Sequence, residues 1–113
     1  MTTSSTTSIV TNPDSNELVK IDIIHLKKAA MILRSLNHKL RQQLLKLIDD
    51  HKKITVTEIY VKLHLEQSVA SQHLAIMRRS GVLLAKRDGK FIYYSINYSR
   101  LKEVSQFVED LVA

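Results

Sequence analysis

Five polar side chains fall within seven positions: Gln67, Ser68, Ser71, Gln72 and His73. Gln can bond bidentately to adenine, Ser can bond to bases or phosphates, and His can donate to either. Further on, Arg87 and Lys90 flank an Asp88-Gly89 pair, so two cations share one short loop. Residues 62–90 hold six basic and two acidic residues, the basic centre of a chain whose net charge is +6. Hydrogen-bonding groups on one segment and cations on the next suit an anionic partner, most often a nucleic acid.

Other chemistries lack their ingredients. The 113 residues contain no cysteine, which removes disulfides, thiolate metal sites and thiol redox sensing. None of the five histidines has another three or four residues away. Four of them, His25, His38, His51 and His64, are thirteen apart but fall on different elements, so the spacing is chance. His25 reads as a satisfied, partly buried side chain. Asp49-Asp50-His51 lacks a fourth metal ligand. Two glycines leave little room for a phosphate-cradling loop. The expectation is no enzyme, no metal and no cofactor.

The elements that must position these side chains follow from periodicity. Eight of residues 2–11 are Ser or Thr, so residues 1–17 read as a disordered tail and residues 18–113 as the folded domain. From Leu18 to Leu36, Ile21, Ile24, Ala29, Ile32 and Leu36 recur at roughly helical spacing, as do Leu26, Ala30 and Leu33, so the helix is apolar on more than one stripe. One small domain needs a single stripe, so the surplus points to a second subunit. Asn37-His38 separates this helix from the next, which carries Leu40, Leu44, Leu47 and Ile48.

Thr57 and Glu58 start a short helix reaching Leu63, and His64-Leu65-Glu66 is a turn. Residues 67–80 form a longer helix with Val69, Ala70, Leu74 and Met77 inward, ended by Gly81. Residues 82–86 and 91–96 are β-rich around Asp88-Gly89, the strongest short hairpin signal. Tyr93 and Tyr94 alternate faces and read as packing residues. Leu101, Val104, Phe107, Val108 and Leu111 give a last helix with a narrow apolar seam.

The order α-α-α-α-β-β-α is a winged helix-turn-helix, mostly helical with a small β-hairpin. In such units the second helix of the pair enters the major groove and presents its N-terminal residues to base edges. Gln67, Ser68, Ser71, Gln72 and His73 occupy that place, and Arg87 and Lys90 sit on the wing.

Four stretches resemble the ArsR/SmtB family of bacterial winged-helix repressors. Leu36-Asn37-His38-Lys39-Leu40-Arg41 is similar to its opening. Leu65-Glu66-Gln67-Ser68-Val69-Ala70-Ser71-Gln72-His73-Leu74 is similar to its recognition helix. Arg79-Ser80-Gly81-Val82-Leu83 and Gly89-Lys90-Phe91-Ile92-Tyr93-Tyr94 are similar to its helix exit and wing. The resemblance runs from about residue 25 to residue 112. It implies a homodimeric repressor of promoter DNA, paired through its terminal helices.

The sequence departs from that pattern at the family's metal sites. Thr55 and Thr57 stand where many members carry Cys-X-Cys. The last helix offers Tyr98, Arg100 and Leu111 where others use Asp and His. Glu66 stands where Ser or Thr normally caps the recognition helix. The sequence reading is therefore a cytoplasmic DNA-binding regulator, self-associating and without those metal sites. Its dimer surface would hold Ile23, Leu26, Ala30, Leu33, Leu101, Val104, Phe107, Val108 and Leu111. The alternative is a winged-helix docking module for proteins, without specific DNA binding. No apolar run reaches the ~20 residues of a membrane span, and no export signal is visible.

Overall fold

The structure, a computed structural model, describes residues 7–113. It divides within the first helix into a unit ending at Met31 and a unit spanning Ile32–Ala113.

The first unit departs from the sequence reading. Residues 1–6 of the expected tail lie outside the described residues. Beyond them, β1 (Thr7–Thr11) pairs antiparallel with β2 (Leu18–Asp22), with Thr7 opposite Asp22 and Thr11 opposite Leu18. The stretch whose Ser/Thr content suggested disorder also carries β-branched residues, and Thr7, Ile9, Val10 and Thr11 suit a strand. Asn12 makes the turn. Its side chain accepts from the Asp14 N–H at 3.0 Å, and its N–H donates to the Glu17 carbonyl at 2.8 Å. The helix expected from Leu18 starts only at Ile23, giving α1 (Ile23–Leu36). Asp22 marks the start, accepting from the His25 N–H at 3.1 Å. His25 is exposed beside Asp22, not partly buried.

The second unit is built around one core. Its helices are α2 (Lys39–His51), α3 (Val56–Lys62), α4 (Gln67–Arg79) and α5 (Tyr98–Val112). Its sheet has the order β3-β5-β4, from β3 (Ile54–Thr55), β4 (Leu83–Asp88) and β5 (Phe91–Ile96). Leu44 and Ile48 of α2, Ile59 of α3, and Ala70, Leu74 and Met77 of α4 meet Ile54, Val82, Leu83 and Ile96 in that core. Removing such side chains from water is the main term favouring this fold.

Several ends are closed by specific residues. His38 caps α2, its Nδ1 accepting from the Leu40 N–H at 3.1 Å. Asn97 caps α5, accepting from the Arg100 N–H at 3.2 Å. At the far end of α2 the Tyr98 hydroxyl donates to Asp49 Oδ1 at 2.6 Å, and Lys52 donates to the same oxygen at 3.1 Å. These two donors, Tyr98 first, hold the Asp49 carboxyl below the usual carboxylate range and fix the start of α5 against α2.

Two local readings are corrected. The cap of α3 is Thr55, two residues before the expected Thr57, and it forms a capping box with Glu58. The sequence reading also lacked β3, in which Ile54 pairs with Tyr94 and Thr55 with Tyr93.

Candidate nucleic-acid interface

The pair α3–α4 forms the helix-turn-helix. α4 is amphipathic: Ala70, Leu74 and Met77 are buried, while Gln67, Ser68, Ser71 and Gln72 are exposed. Anchoring one face fixes where the other points. Glu66 precedes the helix without making a side-chain cap. The turn before it holds His64 at φ 53°, a left-handed conformation that a non-glycine residue adopts at some cost.

The far end of α4 closes as Gly81 foretells. The Val82 N–H donates to the Met77 carbonyl at 3.1 Å, and the Gly81 N–H to the Arg78 carbonyl at 3.0 Å. That is the Schellman pattern, with Gly81 at φ +85°. It turns the chain straight into β4 and so fixes the wing relative to α4.

The wing is a two-residue hairpin, but its turn is Gly89-Lys90. Asp88 pairs with Phe91, so the expected Asp-Gly turn is shifted by one residue. Gly89 has φ +63° and Lys90 is not left-handed, which fits a II′ rather than a I′ turn. Arg87 and Lys90 are both exposed. Strand alternation puts Arg87 on one face with Ala85, Ile92 and Tyr94, and Lys86 on the other with Asp88, Phe91 and Tyr93. Lys90 Nζ lies 5.6 Å from the Phe91 ring.

His73 departs from the expected set. It is only partly exposed, and its Nδ1 is 3.2 Å from Arg41 Nη1. Its ring centre lies 4.9 Å from that of His38. Withdrawal from solvent, then the nearby His38 and Arg41, push its pKa down. Its place in the first turns of α4 puts it with Gln72 in the sequence, but a helix turns about 100° per residue and carries the two to different faces.

Sequence reasoning also passed over Arg78 and Arg79. Both are exposed in the last turn of α4, and with Ala75 and Tyr94 they line a shallow cleft. Residues 68, 72, 75 and 79 follow helical spacing, a signal that was present in the sequence. The cation supply of the α4–wing side is therefore Arg78, Arg79 and Arg87, with Lys90 at the tip. On the opposite face of the wing Lys53 Nζ lies 4.9 Å from the Tyr93 ring. A groove there is lined by Lys52, Lys53, Lys86, Asp88, Tyr93 and Ser95.

The residues expected at a dimer surface fall into two groups. In α5, Phe107 is 47% exposed, Leu111 68% and Val108 37%, and no residue of that helix is buried. Leu101, by contrast, packs against the core of its own chain, and Val104 is half-buried. In α1, Leu26 is exposed, whereas Ile23, Ala30 and Leu33 are half-buried. Among the described residues no three His, Asp or Glu side chains converge as a metal would need. Thr55, at the family's metal position, is engaged with Glu58. Among the described residues no helix is long and apolar enough to cross a membrane.

Comparison with known proteins agrees with this geometry. The arsR family of bacterial regulatory proteins matches residues 38–83, which run from the cap of α2 through the helix-turn-helix to the entry of the wing. The transcriptional repressor PagR of Bacillus anthracis is 35% identical over 92 residues, covering 81% of this chain and 92% of PagR. Its crystal structure superposes with a TM-score of 0.60, covering 80% of this chain and 99% of that one. The transcriptional activator HlyU of Vibrio cholerae is 29% identical over 84 residues, 74% of this chain and 77% of HlyU. A homodimeric winged helix-turn-helix DNA-binding domain, Mb0332 of Mycobacterium bovis, superposes with a TM-score of 0.62 at 27% identity, covering 77% of this chain and 82% of that one. The polar face of α4, the cation-tipped wing and these similarities converge: the chain belongs to the arsR family and is a DNA-binding transcriptional regulator built on a winged helix-turn-helix.

Proposed function

We propose that the chain is a cytoplasmic homodimeric repressor that occupies a promoter through two copies of α4. The observation that carries this reading is the amphipathic seating of α4. Its buried face belongs to the core, and Gln67, Ser68, Ser71 and Gln72 are left for base edges. Arg87 and Lys90 reach phosphate oxygens from the wing, and Arg78 and Arg79 do so from the end of α4. Phosphate contacts supply affinity for any duplex, and α4 adds the preference for an operator.

The exposed seam Phe107, Val108 and Leu111 supports self-association, because an apolar helix face is costly to leave in water. A dimer would read two half-sites related by its twofold axis. Repression rather than activation follows from the resemblance to PagR, itself a repressor. HlyU, more distantly similar, is an activator. The chain acts by binding: its sequence has no cysteine, no glycine-rich loop and no closely spaced pair of histidines. Regulation is independent of metal, because Thr55 and Thr57 replace the family's soft-metal ligands.

Selection of binding sites from a random duplex pool tests the reading. A palindromic motif with half-sites one helical turn apart is expected, and a reporter driven from it should fall when the protein is expressed. No enrichment above input sequence, with a folded dimer in hand, would favour a protein-docking module instead. Zinc titration should leave operator affinity unchanged within about threefold.

A further inference from the structure

Among the described residues Arg41 is the only buried charged side chain, 9% exposed. Its guanidinium makes three bonds to two other helices. Nε donates to the Ser35 carbonyl at 2.8 Å and Nη2 to the Arg34 carbonyl at 2.8 Å. Both carbonyls lie in the last turn of α1, where no intrahelical donor is left for them. Gln42 continues the pattern, its Nε2 donating to the Leu36 carbonyl at 2.9 Å. The third bond goes from Nη1 to His73 Nδ1 in α4 at 3.2 Å.

That third bond fixes chemistry as well as position. A guanidinium only donates, so His73 Nδ1 must offer its lone pair and the ring proton sits on Nε2. A buried guanidinium needs all its partners, because an unmet bond on a buried charge is costly. His73 follows directly on Gln72 and lies within a turn of Ser71. A small rotation of α4 that broke the Arg41 bond would swing Ser68, Ser71 and Gln72 together.

We propose that Arg41 and His73 are positioning residues for base reading. Arg41 ties the axial rotation of α4 to the end of α1, and His73 is the point of attachment, not a base contact. This rests on α4 being the DNA-reading helix. The pair sets the difference between operator and random DNA, whereas the cations set the affinity common to both.

The test exploits the two nitrogens of His73. In His73→Asn the side-chain oxygen can take the place of Nδ1. In His73→Gln the terminal amide lies nearer the place of Nε2. Arg41→Lys keeps the charge and loses the fork. Each variant, with Gln72→Ala as control, is titrated against the selected operator and a random duplex at one salt concentration, after its thermal melt is recorded. Operator affinity of His73→Asn should stay within about threefold of the parent, while His73→Gln and Arg41→Lys lose about tenfold and random-duplex affinity is unchanged.

The opposite ranking, with Gln retained and Asn impaired, means that His73 meets a base through Nε2 and overturns the proposal. Equal losses on both duplexes for Arg41→Lys reduce Arg41 to a charge or a core strut, which also overturns it. If Gln72→Ala discriminates between duplexes and neither His73→Gln nor Arg41→Lys does, positioning fails while the reading of α4 stands. If Gln72→Ala does not discriminate either, the reading of α4 fails and the proposal falls with it. Should Arg41→Lys melt below the assay temperature, the two His73 variants decide the question, since their ranking depends on which nitrogen is replaced.

Discussion

Thr55 and Glu58 close on each other across the first turn of α3. The Glu58 N–H donates to Thr55 Oγ1 at 3.3 Å, while Glu58 Oε1 accepts from the Thr55 N–H at 3.3 Å and from its hydroxyl at 3.0 Å. The same Thr55 pairs with Tyr93 in the sheet. One residue therefore ends β3, starts α3 and sets the entry into the helix-turn-helix.

Replacing Thr55 by Ala should cost about 1 kcal/mol of folding stability, the usual value of a side-chain cap. Thr57→Ala, the exposed position favoured by the sequence alone, should stay within about 0.5 kcal/mol of the parent. Urea unfolding of the two variants under one buffer separates them. A larger loss at Thr57 would contradict the Thr55 cap.

Gly81 is held to glycine by its backbone and crowded by a neighbour. At φ +85° any side chain is strained, and a Cβ there would lie 3.2 Å from Arg100 Nε. Gly81→Ala should destabilise the fold by roughly 1–2 kcal/mol. Gly89→Ala, at φ +63° with open space around it, carries the strain without the close approach. The unfolding midpoint of the Gly81 variant should therefore be the lower of the two.

The two halves of the DNA surface should respond differently. Gln72→Ala is expected to cost about 1–3 kcal/mol on the operator and little on random duplex. Arg87→Ala and Lys90→Ala should weaken both. Each cation removed from a phosphate should flatten the log–log salt slope by about one unit. Arg79→Ala belongs with the second group. Affinities on both duplexes over a series of salt concentrations check the assignment. An unchanged slope for the wing variants would mean that the wing does not touch DNA.

Light scattering at micromolar concentration should return twice the 13.0 kDa of one chain. Leu111→Asp, placed in the exposed α5 seam, should shift the population toward monomer without unfolding it, because Leu111 takes no part in the core. Leu101→Asp should instead unfold the chain, since Leu101 packs on that core. A parent protein that remains monomeric would rule the dimer out.

Acid should loosen the fold at His73. Burial first, then His38 and Arg41, hold its pKa below the ordinary 6.5. The folded state thus binds fewer protons than the unfolded chain as pH falls. The contribution is intact above about 6.5, the unfolded value, and is lost as pH drops through the lower folded value. Urea midpoints measured down that range should fall less steeply for His73→Asn than for the parent.

Much of this protein is legible in its residue order, because local rules decide it. Gly81 announces the end of α4, since few other residues accept the left-handed closure of a Schellman motif. The spacing of Ala70, Leu74 and Met77 announces which face of α4 is buried, and so which side chains are offered outward. The resemblance of four separated stretches to one family carried the function. Other features were settled only by tertiary contact. Residues 7–22 became a hairpin because Thr, Val and Ile pair across strands, and a polar composition does not reveal a partner strand. β3 is two residues long and exists because β5 lies beside it. The hairpin turn moved by one residue because the register of β4 and β5 pairs Asp88 with Phe91. His73 turns partly inward because Arg41, thirty-two residues earlier, lies 3.2 Å from its Nδ1. Periodicity says which way a side chain points along its own element. It does not say which distant charge will be there to meet it.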